Sequence, residues 1–329
     1  MPTAVVLGAG GQDGRILVGQ LRAAGIATLG ISRGSVAAHG FDAPRPSDSA
    51  RSADLTRPVD LTRPVDITRA DEVGALVRAL RPDAVYHLAA VHQSSEEAPA
   101  DGLDAHRLQY EVNFFSLLNL LEAIRLDSPK TRLFFAASSH VFGTPDTEIQ
   151  DETTPLRPDT VYGMTKTDGL LACRLYRERY GLFASTGILY THESPYRDPK
   201  FLAMKIARAA ARIRAGRERE LVVGKLDAVI DWGWAEDYAD AMRRILAADR
   251  PGTFVVATGE RRTVRDYLAA AFGAVGLDWR EHVREDATIL TRPSPVRVGN
   301  PARLRAATGW AAKVGLEEIA RRLVGSVTP

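Results

Sequence analysis

Tyr162 and Lys166 stand four residues apart, and on a helix that spacing puts both on one face. A phenol ordinarily titrates near pH ~10, and an ammonium beside it stabilises the phenolate. Ser138 ends the apolar run Leu133 to Ala137 and brings a hydroxyl that can orient a sugar or alcohol oxygen against the phenol. Together the three groups can move a proton on and off an alcohol while a hydride leaves the same carbon. An oxidation also needs a hydride acceptor, and the N-terminus is built to hold one.

Thr3 to Leu7 is a continuous apolar run, as expected for a strand buried on both faces. Gly8, Gly11 and Gly14 follow, with Gln12 and Asp13 between them, and the amphipathic run Arg15 to Ala24 comes next. Strand, glycine turn and helix in this order open a dinucleotide-binding unit. The glycines let the backbone approach a pyrophosphate, and the helix N-terminus favours its charge. Ile26 to Ile31 reads as the second strand. Beyond it stands Arg33 rather than an acid, which favours NADP, with NAD the alternative. Residues 34–65 contain a six-residue repeat, Asp54 to Val59 and Asp60 to Val65, continued by Asp66 to Arg69. The prolines in the repeat argue against a central strand, and the expectation is a loop expansion without chemistry of its own. Its last copy precedes the helix Ala70 to Leu80, so Asp66 and Ile67 are placed to flank an adenine ring. A register one repeat earlier would give that role to Asp60.

Ala84 to Ala90 reads as another buried strand, and Leu88, Ala89 and Ala90 at its end would let a cofactor pass closely. His87 and His92 lack the neighbouring ligands of a zinc site. His87 is expected to be paired through its ring, and His92 with Gln93 to line a sugar pocket. His106 to Leu126 is helical by period and carries Asn113, as a brace behind the site or as a structural residue. The Tyr162 helix runs to about Tyr180, and Phe183 to Tyr190 is a further strand. This alternation predicts an α/β fold, a Rossmann-type doubly wound parallel sheet with a smaller mixed α/β lobe. Residues 1–186 with roughly 231–258 would bind NADP; roughly 187–230 and 259–329 would form the substrate-binding lobe. A net charge of +2 over 329 residues gives no sign of a nucleic-acid binder. A single cysteine, Cys173, fits a reducing compartment. With no long apolar stretch or signal sequence, a soluble, cytoplasmic protein without membrane contact is expected.

Gly11-Gln-Asp-Gly14, Ser138-Ser139, Tyr162 with Lys166, Gly187 to Pro195, Leu226 to Gly233 and Gly299-Asn-Pro301 resemble the GDP-mannose 4,6-dehydratases, a branch of the extended short-chain dehydrogenase/reductases. The resemblance implies that Tyr162 takes the proton of a sugar C4 hydroxyl while the C4 hydride passes to NADP. Lys166 would lower the phenol's pKa and hold the nicotinamide ribose, and Ser138 would bond the C4 oxygen. A base then removes the C5 proton and water leaves from C6. It further implies cofactor contact by His192, substrate contact by Ser139, Thr191, Glu193, Lys200 and Arg292, a nucleotide-sugar substrate with a GDP-sugar favoured, and a homodimer or homotetramer.

The sequence departs from the family at telling places. The glutamate base is replaced by His140, whose imidazole can serve as a base near neutral pH. An asparagine is replaced by Thr191. An arginine expected near the diphosphate is replaced by Ile230, and two acids by Pro295 and Arg297, while Arg292 and Arg297 are still able to contact phosphate. Three readings stay open: a dehydratase with His140 as base, an epimerase or 4-keto reductase that never eliminates water, and a cofactor-binding protein without catalysis.

Overall fold

Short runs of branched and aromatic residues make the strands, and amphipathic segments between them make the helices. The computed structural model describes residues 1–33, 35–39, 65–92, 96–97, 102–291 and 295–327. From the N-terminus come β1 (Thr3–Leu7), α1 (Gln12–Ala23), β2 (Ala27–Ser32), β3 (Ser35–His39), α2 (Ala70–Leu80) and β4 (Ala84–His87). Then follow α3 (Leu103–Tyr110), α4 (Ser116–Asp127), β5 (Arg132–Ser138), β6 (Ile149–Gln150), α5 (Val161–Tyr180), β7 (Ala184–Leu189) and β8 (Thr191–Glu193). The remainder is α6 (Leu202–Arg214), β9 (Leu221–Val223), β10 (Val229–Ile230), β11 (Trp232–Trp234), α7 (Ala235–Ala247), β12 (Thr253–Val256), β13 (Arg262–Thr263), α8 (Val264–Gly273), β14 (Val283–Glu285), β15 (Val298–Gly299), α9 (Ala302–Thr308) and α10 (Leu316–Ser326).

The main sheet has the order β12-β7-β5-β4-β1-β2-β3, parallel throughout except for β3. The parallel, doubly wound expectation holds. The loop expected from residue 34 onward does not hold at its start, because Ser35–His39 pairs antiparallel with β2. No proline lies within Ser35–His39, the next after it being Pro44, so these five residues are free to form an edge strand. The repeat from Asp54 to Asp60 lies outside the described residues.

One apolar layer, with Leu7, Val85, Phe135 and Ile188, packs α2, α4 and α5 on one face of the sheet. A second, with Val6, Phe134 and Val256, packs α1 and α7 on the other face, joined by Leu304 and Trp310. A third cluster lies among α6, α8 and α10 with Trp232, Trp234 and Trp279. Each buried side chain of this size contributes roughly 1.5–3 kcal/mol. Chain order reverses between β1 and β4, and in such sheets ligands bind beyond the strands' carboxyl ends at that point.

Two helices show how the site is held. Helix α5 begins at Thr160, whose hydroxyl accepts from the Gly163 amide at 3.0 Å, and ends at Gly181 in the left-handed region. It lies very close to β5: a Cβ on Gly169 would stand 2.4 Å from Phe135, and one on Gly163 would stand 2.7 Å from the His140 carbonyl. That approach brings Tyr162 and Lys166 against the end of β5. Helices α3 and α4 are joined by one wide π turn, Glu111–Phe115, a feature that often marks a functional position. Asn113 sits in this turn, fully buried. Its amide oxygen accepts from Val91 N at 2.8 Å, and its amide nitrogen donates to Thr165 Oγ1 at 3.1 Å. Asn113 therefore ties the chain beyond β4 to α5, joining the two roles open for it from sequence.

Candidate active site

The glycine turn after β1 is packed, not loose. Gly8 has φ of +90°, and a Cβ there would stand 2.7 Å from Ala89 N. A Cβ on Gly14 would stand 2.2 Å from the Gly8 carbonyl. The ends of β1 and β4 thus lie in direct backbone contact through Gly8, Leu88 and Ala89. Gly11 caps α1 without a side chain, so the amides of the first helical turn keep their capacity for an anion. This cradle fits the pyrophosphate of a dinucleotide.

Asp13 stands in that first turn and would repel a phosphate if left alone. It accepts a bond from His192 Nε2 at 2.9 Å, while His192 Nδ1 meets the Tyr190 carbonyl at 2.7 Å. The imidazole is stacked on Tyr238 with centroids 4.3 Å apart. Burial alone would raise the Asp13 carboxyl, but the His192 charge and hydrogen bonds outweigh it and hold the pKa below the usual value. Burial likewise opposes the protonated form of His192, and Asp13 overcomes it, so this pKa is raised. Gln12 adds a bond to the His192 carbonyl at 3.1 Å and accepts from Ser194 Oγ at 2.9 Å. The turn and β8, far apart in sequence, are one unit.

A cavity of about 360 Å³ opens beside this unit, lined by Tyr162, Ser138, Ser139, His140, His92 and Ala90 at one end. Lys166 is 1% exposed and donates to the Ala136 carbonyl at 2.8 Å. Its ammonium lies 5.8 Å from the Tyr162 ring centroid, so the two residues do share a helix face. The expected tuning takes a different form. Burial pushes the phenol up to about 12, against the pull of the Ser138 hydrogen bond and the Arg197 charge. Burial brings the ammonium down to about 7. Lysine near its midpoint at neutral pH can accept or release a proton beside a phenol that holds its own. The reason is geometric: the ammonium is turned toward a strand carbonyl deep under the helix.

His140 follows β5 on a short 3₁₀ turn, Ser139–Phe142, and its amide donates to Ser138 Oγ at 3.4 Å. Its ring lies 5.6 Å from that of Tyr162 and 5.8 Å from that of His92. His92 lies 4.4 Å from Tyr162 and stacks on Phe201 at 5.6 Å. Arg197 covers the other part of this stack, 3.8 Å over Phe201, with its Nε 3.5 Å from Glu193 Oε2. Glu193 is 1% exposed, and burial raises its pKa against the charges of Arg197 and His192. Arg197 and Phe201 were not singled out from sequence. Glu193 ends β8 and Arg197 lies in the turn after it, so no regular spacing pointed to the pair.

The cavity continues past Thr191 to Lys200, Val223, Lys225, Ile230, Leu290 and Arg297. Lys200 is paired with Glu97 at 3.1 Å, and Lys205 with Glu96 at 2.6 Å. Other expected residues stand elsewhere. His87 is buried beneath the site, its Nε2 2.6 Å from Ser116 Oγ, with burial and Lys166 holding its pKa down to about 3. That is the paired strand residue expected. Arg33 is exposed in the turn after β2. Asp66 closes a turn by accepting from the Thr68 amide and hydroxyl, and Ile67 packs against the layer under α2. Arg292 and Gln93 lie outside the described residues. Among the described residues no cluster of ligands could hold a metal ion, and no helix is long and apolar enough to cross a membrane.

Residues 5–323 match the family model of GDP-mannose 4,6 dehydratase. GDP-mannose 4,6 dehydratase 1 of Arabidopsis thaliana is 37% identical over 251 residues, which is 74% of this chain and 68% of that protein. Among solved structures, UDP-glucose 4-epimerase of Thermus thermophilus in complex with NAD is 28% identical, with a TM-score of 0.74 over 98% of each chain. RMD of Pseudomonas aeruginosa, complexed with NADPH, shares the fold at a TM-score of 0.79 and 21% identity, over 99% of this chain and 98% of that one.

Proposed function

The chain belongs to the GDP-mannose 4,6 dehydratase family, and from that premise we propose that it oxidises C4 of a nucleotide-bound hexose and then eliminates water with His140 as base. It is an enzyme of the nucleotide-sugar dehydratase and epimerase class and uses a nicotinamide cofactor. When bound, the nicotinamide supplies the acceptor and later donor of the hydride. Gly8, Gly11 and Gly14 would leave room for its pyrophosphate, with Gln12, Asp13, Leu88, Ala89, Ala90 and His192 around it. Asp66 and Ile67 would flank its adenine. Arg33, exposed after β2, supports NADP over NAD.

The observation that carries the reading is one cavity holding Tyr162, Ser138, Lys166 and His140 together, with the His140 and Tyr162 rings 5.6 Å apart. Ser138 holds the sugar oxygen against Tyr162, which receives the hydroxyl proton once its own phenolic proton has passed toward the neutral amine of Lys166. The resulting ketone acidifies C5, and His140 removes that proton so that water can leave from C6. GDP-sugars are the favoured substrates, bound between Ser139 and His92 at one end and Thr191, Glu193 and Lys200 at the other. The exposed Leu108, Phe115, Leu126, Met164, Leu175 and Tyr180 lie on α3 to α5, which supports a homodimer or tetramer closed through that face.

Mass spectrometry after incubation with a panel of GDP-, UDP-, CDP- and ADP-sugars tests this. A product lacking one water is expected, and His140→Ala should slow its formation by about 10²–10⁴. The missing carboxylate at residue 140 favours a second reading, an epimerase or reductase without elimination. Product of unchanged composition carrying solvent deuterium at C5 would put that reading first.

A further inference from the structure

Residue 230 is an isoleucine where the resemblance leads one to expect a cation, yet the structure sets an arginine directly beside it. Ile230 and Arg297 form an isolated parallel bridge, although 67 positions of sequence separate them. Both line the distal part of the cavity, which Lys225 also borders. Arg297 Nε donates to the Gly143 carbonyl at 3.0 Å, a neutral acceptor just past the His140 turn. Strand β15, which begins at the next residue, pairs with β6, so the arginine is carried on fixed backbone at both sides. The carboxylate at this end, Asp231, has both oxygens engaged by Thr258, Gly259 and Gly299.

We infer that Arg297 receives the phosphates of the nucleotide sugar, delivering from a neighbouring strand the charge that Ile230 does not carry. The planar guanidinium suits a phosphate group, which it can meet through parallel hydrogen bonds. Through Gly143 the same side chain also steadies the turn that bears His140, so the substrate's phosphates and the base are referred to one residue. This inference rests on the nucleotide-sugar reading.

Titration calorimetry with GDP, UDP, CDP and ADP on the NADPH-loaded protein tests it. Arg297→Gln keeps a donor for the Gly143 carbonyl and removes the charge. The expected result is affinity for the preferred diphosphate weakened about 10- to 100-fold, with NADPH affinity within about twofold of the parent. Unchanged diphosphate affinity in Arg297→Gln overturns the inference while leaving the nucleotide-sugar reading standing. A parent protein that binds none of the four diphosphates overturns both. Should Arg297→Gln fail to fold, Arg297→Lys decides. Diphosphate affinity weakened about tenfold or more with NADPH affinity unchanged supports the inference, because lysine keeps the charge but not the planar fork; unchanged affinity for both ligands overturns it.

Discussion

The two ends of the cavity are built on different plans. At the phenol end several pairs are close in sequence and meet through one helix turn or one strand end, Tyr162 with Lys166 and Ser138 with His140, with His92 brought in from beyond β4. At the distal end, partners come from far apart: Ile230 beside Arg297, Lys200 with Glu97, Leu290 across from Gly224. A local plan survives changes elsewhere in the chain, because helix geometry alone keeps the pair in register. A plan that spans loops can exchange one contributor for another without disturbing the fold. Both ends have changed relative to the family: the phenol end keeps its geometry while residue 140 becomes histidine, and the distal end draws its groups from different strands.

Tyr162→Phe should break the separation most visibly if the separation is false. Removing the phenolic hydroxyl is expected to lower kcat by about 10²–10⁴, while nucleotide affinity at the distal end stays within about twofold. Steady-state kinetics beside calorimetry reads both. Retention of a tenth or more of the parent's rate would mean that another group moves the proton.

A smaller effect, on stability, sharpens the comparison. Lys166 is an ammonium held without water beneath α5, with its pKa brought from 10.5 down to about 7 by burial. A base with a depressed folded pKa destabilises the fold most below that value. The penalty shrinks as pH rises from about 7 and is gone above about 10.5. Lys166→Met should therefore be inactive yet more stable at pH 6, on the order of 1–3 kcal/mol, and the gain should fade toward pH 10. Thermal unfolding across that range measures it. A variant less stable than the parent at pH 6 would show that the bond to Ala136 outweighs the buried charge.

The smallest expected change concerns the clasp between the glycine turn and β8. The folded His192 pKa lies above 6.5, so its contribution is complete below 6.5 and lost as pH rises through the folded value. The folded Asp13 pKa lies below 3.8, so its contribution is complete above 3.8 and lost as pH falls through the folded value. The clasp is thus strongest between those limits. His192→Gln should cost more stability at pH 5.5 than at pH 9, with the difference on the order of 1 kcal/mol. An equal loss at both values would leave only the neutral hydrogen bonds.

Much of this was open to reading in the chain itself, for the same reason that the phenol end keeps its geometry. Continuous apolar runs marked β1, β4, β5 and β7. The helix spacing paired Tyr162 with Lys166. What the spacing could not reveal was the direction of the ammonium, which bonds a strand carbonyl and leaves the phenol's pKa raised. Edge strand β3 was hidden by the proline-rich stretch that follows it. Arg197 and Phe201 went unnoticed because their importance depends on His92, from another strand end. Phosphate contact by Arg297 was open from sequence, and the fold adds that it stands beside Ile230.

The wide turn at Glu111–Phe115 sets the rotation of everything before it in the helix. A π turn houses one residue more than a regular α-helix has room for, and an α-helix advances about 100° per residue. Excising one residue would give a smoother rod, yet would swing everything upstream by roughly that angle. Tyr110, whose hydroxyl meets Asp168, would turn away from α5. The wide turn is thus held in place by the contacts on either side of it.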